Sequence, residues 1–196
     1  MYYIIGLGNP TERYFNTRHN IGRLAVESFG NKLSHDSWDK DKITLSKTKV
    51  VHLNNQPVIL LLPEVFMNQS GQVTAVLKNK YEVDFNNIIV IHDDVDLPFA
   101  NIKISVGRGH GGNNGVKSII KSLNSNEFTR IRIGISYQDE SDCVRRPPGG
   151  ESLERFVLQP FSKSQQKEIP KILNRVDNVI TDIIENDVSF AMNKYN

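Results

Sequence analysis

The stretch "NIIVIHDD", Asn87 to Asp94, decides how the rest of the chain is read. Four apolar residues in a row, Ile88 to Ile91, leave no polar face, so the segment reads as a strand covered on both sides. It ends in His92, Asp93 and Asp94, and the carboxyl end of a buried strand is where an open α/β sheet holds its ligands. Two further runs have the same character, "YYIIGLG" (Tyr2 to Gly8) and "PVILLLP" (Pro57 to Pro63), and "IRIGIS" (Ile131 to Ser136) reads as a fourth strand. Between them, "NIGRLAVESFGNKL", "SGQVTAVLKNKY" and "NGVKSIIKSLN" space apolar residues three and four apart, as amphipathic helices do. Strands alternating with helices predict an α/β fold with a mostly parallel twisted sheet flanked by helices. "LSKTKVVHLNNQPVILLL" reads as a hairpin turning at Asn54 and Asn55, which makes the sheet mixed.

The chain of 196 residues, 38% hydrophobic and 23% charged, suits a single domain, 1–196, with a substantial core. A stripe of Ile169, Ile172, Leu173, Val176, Ile180, Ile183 and Ile184 predicts a C-terminal helix over about 164–186, with Pro170 in its first turn or kinking it. "YQDESDCVRRPPGGES", Tyr137 to Ser152, rich in Pro, Gly and charge, is expected to be a mobile loop. A net charge of +2 means that any affinity for nucleic acid must come from a local basic patch. The lone Cys143 excludes an internal disulfide and suits a reducing compartment. No apolar run is long enough to span a bilayer, so a cytoplasmic protein is expected.

The residues that follow the strands are polar in a repeated way. "GLGNP" brings Asn9, "VFMNQSG" brings Asn68, "HDDVD" brings Asp93, and the glycine-rich turn "GRGHGGNNG" brings Asn114, while His19 lies a short way beyond the first. Each has a structural explanation when taken alone, since asparagine is at home in turns and aspartate caps helices. Together, at one edge of one sheet, they form a candidate site. The glycines of the turn match neither a phosphate loop nor a dinucleotide fingerprint. Ser70 reads as a helix N-cap, no "GxSxG" elbow occurs, and His19, His92 and His110 are dispersed without the spacing of a metal site. No metal and no cofactor are expected.

"GLGNPTERYFNTRHNIG", "PEVFMNQSG", "IHDDVDLP", "GRGHGGNNGVKSI", "RIRIGI" and "RFVLQPF" resemble, in order and spacing from Tyr3 to about Phe161, the motifs of the bacterial-type peptidyl-tRNA hydrolase family. The resemblance implies a monomeric α/β enzyme that cleaves the ester joining a peptide to the terminal ribose of tRNA, without a metal. Carried over by position, it makes His19 the catalytic base and Asp93 its partner. It sets Asn9 with them and makes Asn9, Asn68 and Asn114 bind and orient substrate. Tyr14 and Phe66 match positions near the tRNA terminus and the peptide. Two residues depart from the family pattern: Asn113 stands where histidine is usual, and Val65 where threonine is.

The chemistry asks for these residue types. An imidazole with a pKa near 6.5 can deprotonate water and later release the proton, and a carboxylate on its other nitrogen fixes the tautomer. Asp93 is the candidate partner, with Asp94 and Asp96 competing from the same turn. Amide donors aimed at the developing oxyanion lower the barrier, and Asn68 is the first candidate. An amide near Asn9 that accepts a peptide N–H would select N-blocked substrates. Phosphate contacts are expected from Lys103, Arg108, Lys117, Arg130 and Arg132, with the helix start at Asn114 to Lys117 best placed because its N–H groups attract anions.

Overall fold

A computed structural model describes residues 1–138 and 144–196. In chain order the elements are β1 (Tyr2–Gly6), α1 (Ile21–Leu33), β2 (Asp39–Asp41), β3 (Ser46–Leu53), β4 (Gln56–Pro63), α2 (Gly71–Tyr81), β5 (Ile88–Pro98), β6 (Ile102–Ser105), α3 (Asn114–Leu123), β7 (Thr129–Gln138), β8 (Val144–Arg145), α4 (Glu151–Val157), α5 (Lys163–Glu185) and α6 (Val188–Tyr195). The strands form one sheet in the order β2-β3-β4-β1-β5-β7-β6, with β8 on β7. Its centre, β4-β1-β5-β7, is parallel, and antiparallel pairs flank it on both sides. The fold is α/β with a mixed, mostly parallel sheet between helices, as the sequence pattern predicts.

The central strands are apolar on both faces because two cores need them. Ile4, Leu60, Ile89 and Ile91 point to one side, where Ile21, Val26 and Phe29 of α1 and Val176, Val179, Ile180 and Ile183 of α5 cover them. Ile5, Leu61, Ile88 and Val90 point to the other side, under Val73 and Leu77 of α2 and Val116, Ile119 and Leu123 of α3. Successive residues of a strand face opposite ways, so one short apolar run serves both layers.

Several local expectations change. β5 does not stop at Asp94 but continues to Pro98, with a register shift against β7 between the two. His92, Asp93 and Asp94 therefore lie in the interior of the strand and not at its end. Pro170 sits inside α5, past its first turn. Ser70 precedes α2 but makes no capping bond, since its hydroxyl donates to the Met67 carbonyl at 2.8 Å. The stretch expected to be mobile, Tyr137 to Ser152, contains the β7–β8 pairing and the start of α4. Its residues 139–143, with Cys143, lie outside the described residues.

One contact sets the sheet against the helix that leads out of the candidate site. A Cβ on Gly22 would lie 2.1 Å from the Ile91 carbonyl oxygen, so only glycine lets α1 touch β5 there. Gly22→Ala must push the helix away, at a cost of about 2 kcal/mol as in other overpacked sites. For a chain of this size that lowers Tm by roughly 4–8 °C, and an unchanged melting curve would show that α1 is not seated by this contact.

Candidate active site

The site is built where β5 outreaches β1. The last register partner of β1 on β5 is Ile91, opposite Gly6, so Asp93 overhangs the sheet edge at the carboxyl end of β1. The chain leaving β1 passes Asn9 and returns through a short 3-10 turn, Arg18–Asn20, directly into α1. That turn carries His19. Asn20 locks the loop closed, its Oδ1 accepting from the Asn9 N–H and its Nδ2 donating to the Asn9 carbonyl, both at 2.9 Å. Arg18 is buried and pins the turn from the other side: it donates to the carbonyls of Phe156 and Gln159 at 3.3 Å and to the Tyr137 hydroxyl at 3.0 Å. Its guanidinium also lies 4.4 Å from the centre of the Phe156 ring. Arg18 is thus structural and does not face solvent.

His19 Nδ1 lies 2.9 Å from both carboxylate oxygens of Asp93, and the two side chains are nearly closed off from water. Burial alone would lower the His19 pKa, but the Asp93 charge and hydrogen bond outweigh it and raise it above 6.5. Burial would likewise raise Asp93, but the His19 charge and hydrogen bond hold it below the usual carboxylate range. A carboxylate acceptor requires the proton on Nδ1, which leaves Nε2 toward the cleft as the basic nitrogen. The competitors are engaged elsewhere. Asp94 receives Arg132 Nε at 2.7 Å and the Asp96 N–H at 2.8 Å, and Asp96 pairs with Arg146 at 2.9 Å. His92 lies inside the sheet with Nδ1 2.7 Å from the Asp93 carbonyl, and burial pulls its pKa to about 4, so it stays neutral.

Asn9, Tyr14, His19, Phe66, Asn68, Asp93 and Asn114 all line one cleft of about 740 Å³. The Asn9 side-chain oxygen already accepts from the Met67 N–H at 2.9 Å, which leaves its Nδ2 as the free end. Asn9 therefore presents a donor to the cleft, not the acceptor expected for a peptide N–H. The amides of Asn68 and Asn114 make no hydrogen bond among the described residues. Sequence reasoning missed the far wall, where Gly150, Glu151, Leu153, Glu154, Val157 and Leu158 bring α4 over the cleft. Seven residues are too few to show a helical period, and only the apolar pair Leu153 and Val157 hinted at it. Asn113, which departs from the family pattern, donates Nδ2 to Asp93 Oδ1 at 2.9 Å.

Lys103, Arg108, Arg130 and Arg132 meet in a second cavity of about 460 Å³ that shares Asp94 and Gly111 with the first. Burial and the charge of Arg132 lower the Arg130 pKa to about 10, and its Nε has no hydrogen-bond partner among the described residues. Lys117 lies outside both cavities. The start of α3 is also a poorer anion site than expected, because Asn113 Oδ1 already takes the N–H groups of Gly115 and Val116 at 3.0 and 3.1 Å. Among the described residues, no group of His, Cys, Asp and Glu is arranged to hold a metal ion.

Residues 3–196 match the model of the family described as peptidyl-tRNA hydrolase. The chain belongs to the peptidyl-tRNA hydrolase family. A peptidyl-tRNA hydrolase of Lactobacillus gasseri is 39% identical over 197 residues, covering the whole of both chains, and one of Caldanaerobacter subterraneus is 38% identical over the same span. The crystal structure of peptidyl-tRNA hydrolase from Acinetobacter baumannii superposes with a TM-score of 0.87 at 28% identity, over 100% of this chain and 94% of that one. The peptidyl-tRNA hydrolase fold is therefore shared across the whole described chain.

The pair has a defined pH signature. The raised pKa of His19 gives stability that is complete below 6.5 and fades as pH rises through the folded value. The lowered pKa of Asp93 gives stability present above 3.8 and lost as pH falls through its folded value. Asp93→Asn removes both contributions, so the Tm gap between wild type and variant is widest between pH 3.8 and 6.5. A gap that does not vary with pH would show that the pair is not ionic.

Proposed function

We propose that His19 is the general base of peptidyl-tRNA hydrolysis and Asp93 the residue that holds it. The observation that supports this most is the buried 2.9 Å contact between His19 Nδ1 and Asp93 at the floor of the cleft. By its family the chain is an enzyme that hydrolyses peptidyl-tRNA. In this reading His19 Nε2 takes a proton from water, and the hydroxide attacks the carbonyl carbon of the ester between peptide and 3′-terminal ribose. Negative charge collects on the carbonyl oxygen, where Asn9 Nδ2 and the Asn68 amide are the donors at hand. Collapse expels the ribose oxygen, which recovers the proton from the His19 imidazolium and leaves free tRNA and a peptide acid. Asp93 stays ionised throughout and stabilises the imidazolium while it exists.

Tyr14, Phe66 and Asn114 then flank the path of the tRNA terminus and the peptide. Leu153 and Val157 of α4 give the peptide an apolar wall that reads no particular side chain. The basic cavity beside the cleft receives phosphates of the tRNA through Lys103, Arg108, Arg130 and Arg132. Lys117 becomes the weakest of the expected contacts. The working unit in this reading is a monomer, as the family resemblance implies. No described helix is long and apolar enough to cross a membrane, in keeping with action in the cytoplasm on products of translation.

The test is turnover of an N-acetylated aminoacyl-tRNA by wild type and His19→Ala. The variant is expected to lose at least about a thousandfold in kcat, as enzymes do when a base that acts with an orienting carboxylate is removed. Turnover near the wild-type rate would end the reading. Added chelator is expected to leave activity intact, and a large loss would call for a metal. Lys103→Glu should raise KM for whole peptidyl-tRNA while leaving a minimal N-acyl aminoacyl ester unaffected, and should lower the salt slope of binding by about one. Lys117→Glu should do less. Equal effects of Lys103→Glu on both substrates would remove the basic cavity from the account.

A further inference from the structure

We propose that Asn113 is a positioning residue of this enzyme, which keeps Asp93 ionised and oriented while His19 is still neutral. The inference rests on the reading of His19 and Asp93 given above. Its starting point is that the Asn113 amide has no freedom to turn. Its oxygen accepts the N–H groups of Gly115 and Val116 at the start of α3. Its nitrogen must therefore face the other way, and there it donates to Asp93 Oδ1 at 2.9 Å and to the Asp93 carbonyl at 3.3 Å.

The need for such a donor follows from the order of events. Before water is activated His19 is neutral, yet Asp93 must already be charged with only 3% of its surface exposed. A buried carboxylate needs donors to stay ionised. Among the described residues, two side chains supply them: the His19 ring and the Asn113 amide. The titratable groups that face Asp93 are His19, from the turn before α1, and His92, beside it on β5 and neutral in the sheet. From the glycine-rich turn and α3 the contact is the uncharged amide. Asn113 thus supports the carboxylate without adding a group that titrates near neutrality. The same amide ties the start of α3, which carries Asn114, to the catalytic pair.

Asn113→Ser separates the two tasks, because a serine hydroxyl still caps α3 but is too short to reach Asp93. It should keep Tm close to wild type while kcat on N-acetylated aminoacyl-tRNA falls about tenfold or more, the scale of a lost hydrogen bond to a charge. KM should stay within about twofold, since by this proposal the residue acts through Asp93. The acid limb of kcat/KM should move to higher pH, because a less supported carboxylate holds the His19 proton more strongly. Asn113→His, whose ring N–H can point at Asp93, should recover more activity than Asn113→Ser. His19→Ala is assayed beside them. If His19→Ala is inactive while Asn113→Ser keeps wild-type kcat and pH profile, the proposal fails and the site reading stands. It also fails if the loss in Asn113→Ser lies in KM alone, or only follows a fall in Tm with the acid limb unmoved. Full turnover by His19→Ala would remove the reading and the proposal together.

Discussion

The close approach of α1 to β5 at Gly22 is the constraint on which the site depends. With no side chain between them, the first turn of the helix rests on the Ile91 carbonyl, two residues before Asp93. The 3-10 turn that leads into α1 then has little choice of position, and His19 meets the overhanging end of β5. The same carbonyl accepts the Leu7 N–H at 2.9 Å, and the Leu7 carbonyl accepts from Arg23 at 2.8 Å, so strand, loop and helix close on one another. Any side chain at position 22 would open this joint and move the imidazole away from its carboxylate.

Around that joint the chain orients three asparagine amides by committing one end or both. Asn9 gives its oxygen to Met67 and is left with a donor toward the cleft. Asn20 spends both ends on the backbone of Asn9 and holds the loop. Asn113 gives its oxygen to α3 and its nitrogen to Asp93. An asparagine is symmetric in shape but not in chemistry, and fixing one end is what turns it into a directed donor. The uncommitted amides, Asn68 and Asn114, line the cleft.

Much of the fold was legible because β1, β4 and β5 are apolar on both faces, a pattern that belongs to the centre of a parallel sheet. The continuation of β5 was not. The strand was read as far as Asp94, and a sequence does not show that His19 and Arg132 supply partners for Asp93 and Asp94 that let it run on to Pro98. β6 and α4 were missed because four and seven residues are too short to display a period. In the site, His19, Asp93 and the three asparagines could be named from their places after strands and from family resemblance. Which atom each presents could not, because this depends on distant partners such as Met67 for Asn9. Asn113 was hidden for the same reason: its use appears only once α3 and β5 are brought together.

The proposed hydrolysis needs a neutral His19 that keeps its proton on Nδ1 and offers Nε2 to water. The direct measurement is nitrogen-resolved NMR of the His19 ring across pH, set beside the pH dependence of kcat/KM. The predicted result is a ring protonated on Nδ1 when neutral, a titration midpoint above 6.5, and an acid limb of kcat/KM with the same midpoint. A midpoint below 6.5, a proton on Nε2, or a rate profile that ignores this titration would contradict it.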